Sequence, residues 1–212
     1  MKFFIVIALA FYFYIPVSYS QLDSVRNETD KEIIDKIQVL HDKKIDTLVY
    51  YHVECTGYMT GPVSPDSCFA YDVKYLLWID NQKYFIQRFD ECFKYEPSNI
   101  TSSFFDVVRH NFFRIKNNEI RNPQFTEVIK GKKVDLESFV DHSCINIFEI
   151  HIGSQSLTKK IDQYDLETKY VDGHLNKNYY TNKKSILIKL KMIAEKEVAF
   201  YNKNLHHKKD AH

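Results

Sequence analysis

The sequence predicts an α+β fold in which an antiparallel sheet, with an aromatic hairpin at its centre, is covered on one face by about three helices. Four segments alternate apolar and polar residues with the period of a strand, and three segments repeat apolar residues with the period of a helix. Aromatic residues make up 15% of the 212 residues, while Gly and Pro number only 5 each. This composition is typical of a chain that fills a hydrophobic core and is not disordered.

The central hairpin is predicted from residues 71–80 and 83–90, which are rich in aromatic and β-branched residues. Asn81 tolerates a positive φ, so a tight turn at Asn81 and Gln82 joins the two arms. The side of the hairpin that carries Trp78 is either a second buried layer or an exposed patch that binds a ligand, and core positions are the commoner place for large aromatic residues. The predicted cross-strand pairs are Ile79 with Tyr84, Trp78 with Phe85, Leu77 with Ile86, and Tyr75 with Arg88.

The other elements follow from the same two periods. The further predicted strands are 45–55 and 144–152, and the predicted helices are 30–42, 102–116 and 184–202. The polar segment 117–133 contains Pro123 and Gly131 and is interpreted as a loop that has room for one short element. The segment 154–181 has no clean period, so no element is assigned to it.

Residues 1–20 have the pattern of a secretory signal peptide, with cleavage predicted before Gln21. Lys2 is followed by an apolar run that is shorter than the ~20 residues a membrane-spanning helix needs. The mature chain is therefore expected to be soluble, secreted or periplasmic, with no stable membrane span. We expect residues 21–203 to form a single α+β domain and residues 204–212 to be a flexible charged tail.

The charge balance argues against a nucleic-acid partner. The full chain carries 29 basic and 28 acidic residues. Removal of Lys2 with the signal peptide leaves a formal net charge of zero, and no basic block stands out in the sequence. A nucleic-acid-binding surface would require such a block, because its affinity comes largely from contacts to phosphates.

The cysteines at positions 55, 68, 92 and 144 predict disulfides, because an even number of cysteines in an exported chain favours them. The preferred pairing is Cys55 with Cys68, across the loop 56–70, and Cys92 with Cys144. One disulfide with two free thiols is an alternative. A metal site made by His52 with Cys55, Cys68 and Cys92 is another, but no Cys-x-x-Cys pair supports it and no metal is expected.

Familiar catalytic motifs are absent from the sequence: it contains no G-x-S-x-G, H-E-x-x-H, P-loop, dinucleotide-binding or EF-hand pattern. The leading prediction is therefore a non-catalytic binding or interaction module without a cofactor. Its ligand is expected to be a peptide, a glycan or an envelope protein; the oligomeric state is not predicted. The candidate ligand-binding residues are Trp78, Phe85 and Tyr58.

A hydrolase is the alternative function. A histidine on a strand, His52 or His151, would act as general base beside a strand acid such as Glu54 or Glu149. This hypothesis predicts a concave pocket that holds the histidine with a carboxylate within hydrogen-bonding distance.

Overall fold

The computed structural model describes residues 28–56, 73–90 and 92–209. The strands are β1 (Thr47–Cys55), β2 (Lys74–Asp80), β3 (Lys83–Phe89), β4 (Ser98–Asn99), β5 (Gln124–Ile129), β6 (Lys132–Glu137), β7 (Cys144–Ile152), β8 (Gln155–Asp162), β9 (Tyr170–Val171) and β10 (His174–Leu175). The helices are α1 (Glu28–Asp42), α2 (Ser103–His110), α3 (Phe112–Asn117), α4 (Gln163–Glu167), α5 (Tyr179–Lys183) and α6 (Ile186–Lys209). None of these helices is long and apolar enough to cross a membrane.

The main sheet has six strands in the order β4-β3-β2-β1-β7-β8, and its neighbouring strands are antiparallel. This arrangement, with helices packed on it, confirms the predicted α+β class. The β2–β3 hairpin has the predicted register, with Trp78 opposite Phe85. Its turn places Asn81 at φ 48° and Gln82 at φ 63°, the left-handed conformation that a tight two-residue hairpin turn requires.

The larger core lies on one face of this sheet, under α2, α3 and α6. Alternate residues of the strands, such as Val49 and Leu77, point to this face and are fully buried. Phe104 and Phe105 of α2 and Leu187 of α6 pack against them. The apolar positions that predict the last helix therefore form its buried side.

The opposite face of the sheet is covered by α1, which corrects the prediction that the helices lie on one face. Ile33 and Leu40 of α1 form a second core with Leu48, Leu76 and Trp78. Both sets of alternating residues in β1 and β2 are apolar, so both faces of the sheet have to be covered. The interpretation of the Trp78 side as a second buried layer is confirmed, since only 4% of Trp78 is exposed.

The disulfide pairing differs from the preferred one. Cys55 is bonded to Cys144, not to Cys68, because β1 and β7 are neighbours and place the two Cα atoms 4.0 Å apart. Cys92 is disulfide-bonded as well. Cys68 lies outside the described residues. The protein is disulfide-stabilised as predicted, but the first bond joins two strands of the sheet and does not close the loop 56–70.

Several elements differ from the prediction. The segment interpreted as a loop contains β5 and begins a second, separate two-stranded sheet with β6. The unassigned segment contains β8, an edge strand of the main sheet. The predicted helix 102–116 is divided into α2 and α3 at Asn111, and α6 continues to Lys209, through most of the segment predicted as a tail. The predicted signal peptide lies outside the described residues.

Candidate functional site

A groove runs between α1 and the chain that leaves β3, and we call it the α1–β3 groove. Its volume is about 380 Å³. The residues that line it are Glu32, Asp35, Lys36 and Val39 of α1, Gln87, Arg88 and Phe89 of β3, and Phe93, Lys94, Tyr95 and Glu96 beyond β3. It lies on the same side of the sheet as Trp78 and Phe85, because Phe85 and Gln87 alternate onto that side.

The wall of the groove beyond β3 is held in place by Asp90. Its side chain accepts hydrogen bonds from the backbone N–H groups of Cys92 and Phe93, at 2.9 and 3.1 Å. Its other oxygen accepts from the Arg88 Nε at 2.6 Å. Asp90 is only 6% exposed. These contacts of a buried carboxylate fix the chain direction at this turn and also orient the Arg88 guanidinium.

Arg88 and Tyr95 form a stacked pair at one side of the groove. The guanidinium carbon lies 5.0 Å from the centroid of the Tyr95 ring, within the range of a cation–π interaction. Burial raises the pKa of the Tyr95 phenol to about 12, and its hydrogen bond to Asp90 adds to this shift. The phenol therefore stays protonated at neutral pH and keeps its O–H donor.

Gln87 supplies the least satisfied polar atom of the groove. Its Nε2 donates to the backbone oxygen of Tyr95 at 2.8 Å, which fixes the orientation of the amide. Its Oε1 is buried, and no residue that the structure describes donates a hydrogen bond to it. Buried acceptors in folded proteins are nearly always paired, so Oε1 is an acceptor that an N–H or O–H group satisfies once the side chains around it move to admit the group.

Charges of both signs line the two walls. Lys94 reaches across to Glu32 with an Nζ–Oε1 distance of 3.3 Å, so an ion pair connects the walls at the surface. The Nζ of Lys36 lies 5.1 Å from the centroid of the Trp78 ring. Burial lowers the pKa of Lys36, the charge of Lys43 adds to this, and Glu96 opposes it. The groove has three acidic and three basic side chains and is electrostatically balanced.

Two of the three predicted ligand-binding residues, Trp78 and Phe85, lie together in the second core. Trp78 is buried and stacks on Phe85, with ring centroids 5.4 Å apart. Lys36, which lines the groove, lies over the Trp78 ring. Tyr58 lies outside the described residues, so its part in binding stays a prediction.

The two candidate general bases occupy the same side of the sheet. His52 is 7% exposed, and its Nε2 lies 3.1 Å from Glu54 Oε1. Its Nδ1 has no hydrogen-bond partner among the described residues. Burial lowers the pKa of His151, with the charge of Glu149 opposing the shift. The α1–β3 groove contains neither histidine.

The thiolate metal site is excluded in the oxidised protein, because Cys55 and Cys92 are both in disulfides. Within residues 28–56, 73–90 and 92–209, no group of three or more His, Cys, Asp and Glu side chains has the arrangement to hold a metal ion.

A second cleft, of about 410 Å³, lies at the base of the β5–β6 hairpin. It is polar, and its groups are engaged with each other. Arg121 pairs with Glu119 at 3.2 Å, and the amide of Asn178 donates to the backbone oxygen of Asn122 at 2.8 Å. The α1–β3 groove is the better candidate, since it combines apolar side chains with an unsatisfied acceptor.

Comparisons with protein-family models, curated proteins and solved structures gave no match to this chain. The function is therefore argued from the groove itself. Sequence analysis did not identify the groove, because Glu32 and Lys94 are distant in the chain and meet only once α1 packs on the sheet. One residue of this region does indicate a turn in the sequence. Asp90 is a short polar residue, and its side chain caps the turn by accepting from the backbone N–H of Cys92.

Proposed function

We propose that this protein is an exported, non-catalytic binding module that takes its ligand in the α1–β3 groove. The observation that carries the proposal is the buried and unsatisfied Oε1 of Gln87 in a groove with a fixed wall. A ligand N–H that bonds to this oxygen restores the pairing that buried polar groups normally have. Export is supported by the apolar leader at residues 1–20 and by the Cys55–Cys144 disulfide, since such bonds persist in oxidising compartments.

Among a peptide, a glycan and an envelope protein, we infer that the ligand is an extended peptide segment, free or as part of an envelope protein. A peptide supplies backbone N–H donors for Gln87 and side chains of both charges for the balanced walls. Val39 and Phe93 are 47% and 50% exposed and offer apolar contact at the mouth of the groove. A polyanionic ligand is disfavoured, because Glu32, Asp35 and Glu96 would repel it.

The test is a selection from a random peptide library on the immobilised mature protein, followed by calorimetric titration of the selected peptides. We expect the double variant Val39→Ser and Phe93→Ser to bind roughly 10- to 100-fold more weakly, since two apolar contacts are lost. The matched control is Val140→Ser with Phe113→Ser, which changes the same residue types at exposed positions outside the groove.

Two outcomes would contradict the proposal. One is that the selected peptides bind the groove variant as tightly as the wild type while the control variant loses affinity. The other is that the purified protein turns over a hydrolase substrate and that His52→Ala abolishes turnover without unfolding the protein. The second outcome would favour the hydrolase alternative, for which the His52–Glu54 contact at 3.1 Å is the supporting observation.

A further inference from the structure

The β5–β6 hairpin exposes aliphatic side chains at its far end. Val128 is 63% exposed, Ile129 41% and Val134 37%. Every residue from 127 to 135 is exposed. A Cβ added at Gly131, in the turn, would meet no atom within 4 Å, so the tip extends into open space. Ile129 and Val134 share one face of the hairpin and Val128 lies on the other, so the aliphatic side chains are grouped around the tip, and such a group is a candidate contact surface.

The base of the hairpin is fixed to the rest of the molecule, so the tip is presented in one orientation. Phe125 is buried and stacks on His174, with ring centroids 5.5 Å apart. The backbone N–H of Lys177 donates to the oxygen of Gln124 at 2.7 Å. Lys177 also pairs with Asp135 at 2.5 Å.

The tip carries excess positive charge. Lys130, Lys132 and Lys133 surround the turn, and none of them forms an ion pair with any residue that the structure describes. The nearby carboxylate of Asp135 is already engaged by Lys177 and by the Thr126 hydroxyl. The three lysine side chains are therefore available to bind an external anion. Glu127 is the acidic side chain at the tip that opposes them.

We propose that this hairpin tip binds the surface of an anionic phospholipid bilayer. The aliphatic side chains enter the interface, and the three lysines contact headgroup phosphates. The combination favours lipid over nucleic acid, because stacking on bases requires aromatic side chains and the tip has none. No residue of the hairpin lines the α1–β3 groove, so this attachment is independent of the ligand proposed there.

The experiment is co-sedimentation of the mature protein with vesicles of phosphatidylcholine that contain phosphatidylglycerol, and with vesicles of phosphatidylcholine alone. We expect binding to the anionic vesicles only. Replacement of Lys130, Lys132 and Lys133 by Gln is expected to lower partitioning on the order of 100-fold at low salt. The variant Val128→Thr with Ile129→Thr, which keeps β-branched residues at both exposed positions, is expected to lower it roughly 10-fold.

The matched control replaces the exposed lysines Lys184, Lys196 and Lys203 by Gln, which removes the same charge elsewhere. Its partitioning is expected to stay close to that of the wild type, and all variants are expected to keep the wild-type melting temperature. An equal loss in this control, unchanged partitioning of the Thr variant, or binding to heparin without binding to anionic vesicles would each overturn the proposal.

Discussion

Asp165, in α4, is a buried acid whose protonation affects stability. It is 8% exposed, and burial raises its pKa to about 6, with the negative charge of Asp162 adding to the shift. The folded state therefore holds this proton more tightly than the unfolded chain, whose Asp pKa is about 3.9. Between these two values the folded state binds more protons, so this group lowers the free energy of unfolding as the pH rises from about 4 to about 6.

Asp165→Asn removes this titration and nearly preserves the shape of the side chain. We expect the variant to be more stable than the wild type at pH 7, by on the order of 2 kcal/mol, and to match it at about pH 3, where Asp165 is mostly protonated in both states. Urea unfolding at the two pH values measures the difference. Equal destabilisation at both would show that the carboxylate has a structural role that an amide cannot replace.

At the scale of elements, the Cys55–Cys144 bond ties β1 to β7 over a sequence separation of 89 residues. A cross-link over so long a loop restricts the unfolded chain strongly. We expect the double variant Cys55→Ala and Cys144→Ala to lose about 2–5 kcal/mol of unfolding free energy, measured by urea denaturation without reductant. A change below about 0.5 kcal/mol would mean that the sheet alone determines the stability of this strand pair.

The β2–β3 hairpin is predictable from sequence, because a strand period of two residues and a turn at Asn81 leave one register. The disulfide is not predictable in the same way. Its pairing depends on β7 lying beside β1, and the order of strands in a sheet does not follow from their order in the chain. β8 escapes prediction for another reason. As an edge strand it buries only Ile161 fully, so its alternating pattern is weak.

The β5–β6 hairpin has two local features of a hairpin, a tight turn and a shared apolar face. Lys130 and Gly131 have positive φ angles of 50° and 76°, as a two-residue hairpin turn requires. Phe125, Val134 and Leu136 also share one face of the hairpin. The flanking lysines make the segment polar overall, and this obscures the alternation in a sequence-based prediction.

At the scale of the whole molecule, both faces of the main sheet are covered, and the proposed ligand site lies where α1 meets the end of β3. In the sequence, Trp78 indicates this side of the sheet, but no pattern indicates the groove. The aromatic pair lies beside the groove. The lining combines charged, polar and apolar residues of separate segments, which come together only when the chain folds.

Trp78 offers a direct measurement, because it is the single tryptophan of the chain and lies beneath Lys36 of the groove. A peptide selected on the protein is titrated while the tryptophan emission is followed. We expect a saturable emission change with the calorimetric Kd, which the control Val140→Ser with Phe113→Ser retains and the groove variant Val39→Ser with Phe93→Ser loses. Tight binding with no change in emission, and with equal affinity in the groove variant, would place the ligand elsewhere and contradict the account.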